Sequence, residues 1–177
     1  DTNLSNVLKQ RKSSFNVSEI KKILTQLNQV FHIMNVNNII HRDLKLDNIL
    51  VKYTNSNKTE FDVKLGDFGV STINDSLFAQ TQIGTVLTMA PEILRGEIYT
   101  KTADLWSLGV IIYQMHFNQY PFIANTQIQL LNLIEKIKPR FTPKDSKLAD
   151  LLKKMLKPNQ QERINWENYF QHPFFND

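Results

Sequence analysis

There is no cysteine among the 177 residues of this chain. A disulfide framework and a cysteine-ligated metal site are both excluded, and the composition fits a cytosolic, hence cytoplasmic, protein. Glycine is scarce. The five are Gly66, Gly69, Gly84, Gly96 and Gly109, and no two are spaced as G-x-G, so the chain holds neither a dinucleotide fingerprint nor a phosphate-binding P-loop. No stretch approaches the roughly 20 consecutive apolar residues of a membrane span. The polar opening DTNLSNVLKQRKSS has no apolar centre of the kind a signal peptide needs. Charge of one sign is not concentrated either. The net charge is +4 and the cations fall in scattered pairs such as Lys21–Lys22 and Lys153–Lys154, which reads as a solvated surface, not a nucleic-acid stripe. What remains, 41% hydrophobic and 21% charged, is an ordinary soluble composition able to build one core.

Periodicity divides the chain into a mostly helical body, a small β-hairpin and one long loop. Residues 18–36 predict a helix, with Ile20, Ile23, Leu27, Val30, Phe31 and Met34 at three- and four-residue steps and Ser18 as N-cap. NILVKY and FDVKLGDF are short strand-like runs joined by the polar connector TNSNKTE, a hairpin pattern. From about 70 to 88 the periodicity disappears into Ser, Thr, Asn and Gln, and loops of that length in a compact domain are usually functional or disordered. APEILRG predicts a short helix stopped by Gly96, and TADLWSLGVIIYQMHF an apolar helix buried on most sides. Further helices are expected around 126–137, 146–156 and 165–171, punctuated by Pro139, Pro143, Pro158 and Pro173.

The chemistry concentrates in NNIIHRDLKLDNIL, residues 37–50. A plain turn would use Gly, Pro, Asn or Ser, whereas ionised groups resist burial unless paired. Taken singly, Asp43 reads as a turn residue and Asn48 as a strand cap. Set beside the residues downstream of them, they read differently. His41-Arg42-Asp43-Leu44 followed by Asn48 matches H-R-D-L-x-x-x-N, then come DFG at 67–69, GT at 84–85, APE at 90–92 and DLWSLG at 104–109. In order and spacing this resembles the eukaryotic protein kinase catalytic domain, and it covers the whole chain, but only that family's C-terminal lobe. The fold class implied is α+β, a protein-kinase-like fold in which residues 1–177 are a partial domain without its N-terminal lobe.

The resemblance implies roles for individual residues. Asp43 would act as catalytic base for the substrate hydroxyl. Lys45 would steady the transferring phosphoryl group as a point charge. Asn48 and Asp67 would hold the Mg2+ ions that bridge the ATP phosphates. Lys45 is similar to serine/threonine-specific kinases, whose partners are protein substrates with a Ser or Thr hydroxyl. Leu46 stands where relatives commonly have proline. Leu50 would lie in the floor of the adenine pocket, and Asn3 aligns near the ATP ribose. His41 and Phe68 would be packing residues, Phe68 aiming Asp67. Asp104 would hydrogen-bond the catalytic-loop backbone, and Glu92 with Arg163 would form a buried ion pair. Arg42 marks control by phosphorylation of the activation loop, at Thr81, by an upstream activating kinase or by autophosphorylation. Ser71, Thr72 and Ser76 are competing sites that also read as simple solvation. Thr85 would contact Asp43 and Lys45 near the substrate, while Thr88 replaces the usual tyrosine. ADLWSLGVIIYQMHFNQYPF, KPNQQERINWENYFQHPFF and the lengthened hairpin KYTNSNKTEFD look like the autophagy-initiating branch of these kinases.

The Gly-rich loop, the strand Lys and the helix Glu of a complete kinase are not found in this chain. The fragment alone is therefore expected neither to bind ATP tightly nor to transfer phosphate. Apolar surface is expected to be exposed near residues 37–50. A pseudokinase or scaffold that binds protein partners stays open as an alternative, as does a small-molecule phosphotransferase, against which APE and Thr85 argue.

Overall fold

The computed structural model describes residues 2–67, 86–141 and 146–176. The polypeptide enters as a two-residue strand, β1 (Thr2–Asn3), and turns at once into helix α1 (Leu4–Gln10), whose N-cap is Asn3; its side chain accepts a hydrogen bond from the Asn6 N–H at 2.9 Å. Asn3, aligned with a nucleotide contact in the sequence, thus has its carbonyl oxygen committed to a helix end.

Helix α2 (Val17–Val36) buries Ile20, Ile23, Leu24, Leu27, Phe31 and Met34 along one stripe. Its cap is Asn16, not the Ser18 expected from the sequence. The Asn16 side chain accepts from the Glu19 N–H at 2.9 Å while Glu19 accepts from the Asn16 N–H at 2.8 Å. The physical reason is the third helical residue: three beyond Asn16 stands an acid that can answer the cap, whereas three beyond Ser18 stands Lys21, which has no acceptor. Replacing Asn16 by Ala should therefore cost about 1 kcal/mol. Ser18→Ala, at an exposed position, should change stability by less than about 0.5 kcal/mol. Urea midpoints of the two variants check the assignment.

Strands β2 (Ile49–Tyr53) and β3 (Phe61–Leu65) form the expected antiparallel hairpin, with Ile49 opposite Leu65, Val51 opposite Val63 and Tyr53 opposite Phe61. The hairpin is not alone. β1 pairs with the other edge of β2, giving a three-stranded sheet in the order β1-β2-β3. Side chains alternate along β2, so Ile49 and Val51 enter the core and Leu50 stays outside at 51% exposure. The β3 edge is blunted by α2, whose Gln26 accepts the Val63 N–H at 2.8 Å.

From residue 86 onward come α3 (Pro91–Leu94), α4 (Thr102–Phe117), α5 (Gln127–Lys136), α6 (Ser146–Met155) and α7 (Trp166–Phe170). α3 ends where Gly96 takes φ +68°, which lets the Glu97 N–H reach back to the Glu92 carbonyl at 2.9 Å. α4 is the central post of the body, with thirteen of its sixteen residues buried. Gly109 allows the end of α6 to approach it: a Cβ there would stand 3.0 Å from Leu156 and 3.1 Å from Met155. No helix among the described residues is long and apolar enough to cross a membrane.

Candidate active site

The charged loop leaves α2 and is fastened to α4. Asp104, in the first turn of α4 and only 2% exposed, accepts the His41 N–H at 2.8 Å on one carboxylate oxygen and the Arg42 N–H at 3.0 Å on the other. Burial pushes the Asp104 carboxyl above its ordinary pKa, and the two backbone N–H bonds, helped by the nearby Arg42 charge, work against that push. The bonds reach Arg42 in an unusual backbone state, φ +69°. A bulky residue adopts the left-handed region at a cost, so the surrounding bonds must over-determine it. The Arg42 guanidinium lies 5.7 Å over the Tyr99 ring.

A second fastening joins the loop to the end of the sheet. The Gly66 N–H donates to the Asn48 carbonyl at 2.8 Å, and the buried His41 ring places Nε2 3.1 Å from the Gly66 carbonyl. With a carbonyl as partner, Nε2 carries the proton. Gly66 lies close under Leu50, since an added Cβ would stand 3.1 Å from that side chain and push it aside by a few tenths of an ångström. Asp67, next in the chain, is exposed and has φ +54°, so the same contacts that hold Gly66 set the departure of Asp67 from Asn48.

Between these fastenings Leu44 and Leu46 are buried at 1% and 4% exposure, which leaves Asp43 and Lys45 on the opposite side of the chain. Asp43 Oδ2 accepts from Lys45 Nζ at 2.7 Å and from Asn48 Nδ2 at 3.1 Å, and the same Asn48 nitrogen lies 2.9 Å from the Asp43 carbonyl. Both groups facing Asn48 there are acceptors. Its amide nitrogen must point at them, and its carbonyl oxygen must point away. Asp43 Oδ1 is buried and has no partner among the described residues. Such an orphaned acceptor is costly in a finished interior and marks a place where a donor group belongs.

The donor set suits magnesium. Asn48 offers a free amide oxygen and Asp67 an exposed carboxylate, hard oxygens of the kind this ion takes, and magnesium usually keeps one or two protein ligands and completes its shell with phosphates and water.

Glu92 and Arg163 meet away from this loop, 71 residues apart in sequence. Arg163 donates through Nη1 to Oε1 at 2.6 Å and through Nη2 to Oε2 at 2.8 Å. The two side chains are 0% and 2% exposed. Arg163 also donates to the carbonyls of Lys157 and Thr102, both at 3.0 Å, and lies 5.2 Å over the Trp106 ring. Phe68, Thr81 and Thr85 fall outside the described residues, as do Ser71, Thr72 and Ser76. Leu50 and Ile39 leave apolar surface exposed at the loop, at 51% and 45%. Two residues of the arrangement carry no role that the sequence announces. Gly66 is one. The other is Ser107, buried in α4, whose hydroxyl donates to the Thr88 carbonyl at 2.7 Å and so ties the turn before α3 to the central helix. A lone hydroxyl inside LWSLGVII was its signal.

A helical body carrying a small sheet, with an Asp-Lys-Asn loop bound to a buried acid of the central helix, is part of a phosphotransferase fold. Residues 1–175 match the family described as Protein kinase domain, and the chain belongs to it. It is 39% identical over 164 residues to the serine/threonine-protein kinase ATG1c of Arabidopsis thaliana, covering 89% of this chain and 22% of that protein. Similarity to the serine/threonine-protein kinase unc-51 of Caenorhabditis elegans is 37% over 174 residues, 93% of this chain and 20% of that one. With the serine/threonine-protein kinase ULK1 of Homo sapiens it is 34% over 165 residues, 88% and 16%. The relatives are serine/threonine kinases of one branch, and the chain spans about a fifth of their length.

Proposed function

We infer that the chain is the C-terminal lobe, residues 1–177, of a cytoplasmic serine/threonine protein kinase of the branch its relatives define. The activity is transfer of the ATP γ-phosphate to a Ser or Thr hydroxyl of a protein substrate. The observation that carries this reading is the state of Asp43. One carboxylate oxygen is held by Lys45 and Asn48, and the other is buried with no partner among the described residues. A substrate hydroxyl donating to Oδ1 would complete it, and the fixed carboxylate would orient that hydroxyl and accept its proton as the oxygen attacks. Asn48 and Asp67 would hold magnesium, which when bound would supply charge neutralisation for the ATP phosphates. Lys45 would then exchange part of its hold on Asp43 for the phosphoryl group. Leu50, exposed beside Gly66, would offer an apolar floor to the adenine ring. A phosphate on Thr81, placed by an upstream kinase or by autophosphorylation, would pair with Arg42 and order the long loop.

The test is phosphorylation of Ser- and Thr-containing peptides by the full-length protein with magnesium and ATP, run beside a panel of small hydroxylated metabolites. Peptide phosphorylation, without turnover of the metabolites, is expected. The 177-residue chain by itself should give no transfer under the same conditions. It holds no Gly-rich loop to cover the phosphates, so nothing excludes water or fixes the γ-phosphate in line with the hydroxyl. Turnover by that isolated chain, abolished by Asp43→Asn, would contradict this.

A further inference from the structure

The outer side of α5 holds a groove of about 390 Å³ lined by Gln129, Asn132, Leu133, Lys136 and Ile137. It belongs neither to the charged loop nor to the Glu92–Arg163 pair. Its floor is aliphatic, and Ile137 is 51% exposed, as a core residue would not be. Lys136 is the one charged residue of that lining, and the chain that follows it is basic. From Thr126 to Phe141 the ionisable residues are Glu135, Lys136, Lys138 and Arg140. The only acid, Glu135, is turned to Arg95 at 2.7 Å, while the three cations are exposed. The amide lining adds a direction. The Gln129 side-chain oxygen accepts from the Asn125 N–H at 3.3 Å, which leaves its amide nitrogen as the donor it can offer a ligand.

We propose that this groove is a docking site for an acidic, extended segment of a protein partner, one that places a single aliphatic side chain between Leu133 and Ile137 and carboxylates beside Lys136, Lys138 and Arg140. Charge complementarity selects the acids, the apolar floor selects the aliphatic anchor, and the amides of Gln129 and Asn132 suit peptide backbone. The groove is also wired to the rest of the lobe. Gln127 donates to the Leu94 carbonyl and Glu135 pairs with Arg95, so α5 is held against the end of α3, the helix that carries Glu92. A segment docked there is held in a fixed relation to that helix.

The experiment is a fluorescence anisotropy titration of the full-length protein with a labelled peptide of about a dozen residues, one leucine followed by four acids. A peptide with those acids changed to alanine and one with them changed to lysine serve as comparisons. The acidic peptide should bind at least about tenfold tighter than the neutral one, and added salt should narrow that difference. Lys136→Glu with Lys138→Glu, both at exposed positions, should abolish the preference and admit the lysine peptide that the unaltered protein rejects. Binding here does not require catalysis, so a protein that fails the phosphorylation assay can still pass this one. Equal affinity for the acidic and neutral peptides would overturn the proposal. So would displacement of the peptide by phosphatidylserine vesicles that bind the same residues, which would make the groove a lipid site.

Discussion

Asp43→Asn in the full-length protein is expected to lower kcat for peptide phosphorylation by about 10²–10⁴-fold, the usual range for loss of a positioned acid–base group. The change is nearly isosteric. The Asn oxygen can still accept from Lys45 and Asn48, which contact Asp43 at 2.7 Å and 3.1 Å, so the loop should keep its shape. What disappears is the charge that orients the attacking hydroxyl and takes its proton. The effect should therefore fall on kcat, with KM for ATP changed by less than about threefold, because Asp43 is assigned to the hydroxyl and not to the nucleotide. Thermal unfolding should stay within a few degrees of the unaltered protein. An equal loss in kcat and in melting temperature would mean that Asp43 is a structural residue, and the scaffold reading would then gain. A loss of kcat alone supports the base.

Arg163→Ala should be the most destabilising single change in the lobe, at roughly 3–5 kcal/mol. Removing the guanidinium strands the Glu92 carboxylate in a site where it is 2% exposed, and it also takes the partner from the carbonyls of Lys157 and Thr102. A domain of this size loses roughly 2–4 °C per kcal/mol, so the melting temperature should fall by about 6–20 °C. Arg163→Lys should rescue little of this, since an ammonium cannot match both carboxylate oxygens at 2.6 Å and 2.8 Å and still reach two carbonyls. Changing both partners, Glu92→Met with Arg163→Met, should be less harmful than Arg163→Ala alone, because no unpaired charge is then left inside. The two carbonyls remain without their donor, so recovery should be partial. Calorimetry on the single and double variants checks the order. A double variant worse than either single would show that the pair itself is not the source of the stability.

The elements legible in the residues alone were those whose causes are local. α4 was bounded as Thr102–Phe117 because an apolar run between polar ends leaves little choice, and the hairpin followed from two short strand-like runs with a polar connector. The α2 cap lies two residues before the position the sequence suggests because Ser18 and Asn16 are both good caps, and only the answering acid at Glu19 separates them. The third strand was missed for a related reason: Thr2 and Asn3 are too few to show any period, and they are a strand only because the β2 edge is there to pair with.

By itself the sequence determined the class of protein, through an ordered set of motifs with Asp43, Lys45, Asn48 and Asp67 at spacings that one loop and one hairpin can bring together. It also determined which helices form, since period and capping act over a few residues. The tertiary structure alone decided what those side chains meet. That Asp104 receives the backbone of His41 and Arg42 from more than sixty residues away, that Asp43 Oδ1 is left buried without a described partner, and that Lys136 lines an open groove all depend on which faces pack together. Packing is a property of the whole set of faces, and no window of the chain contains it.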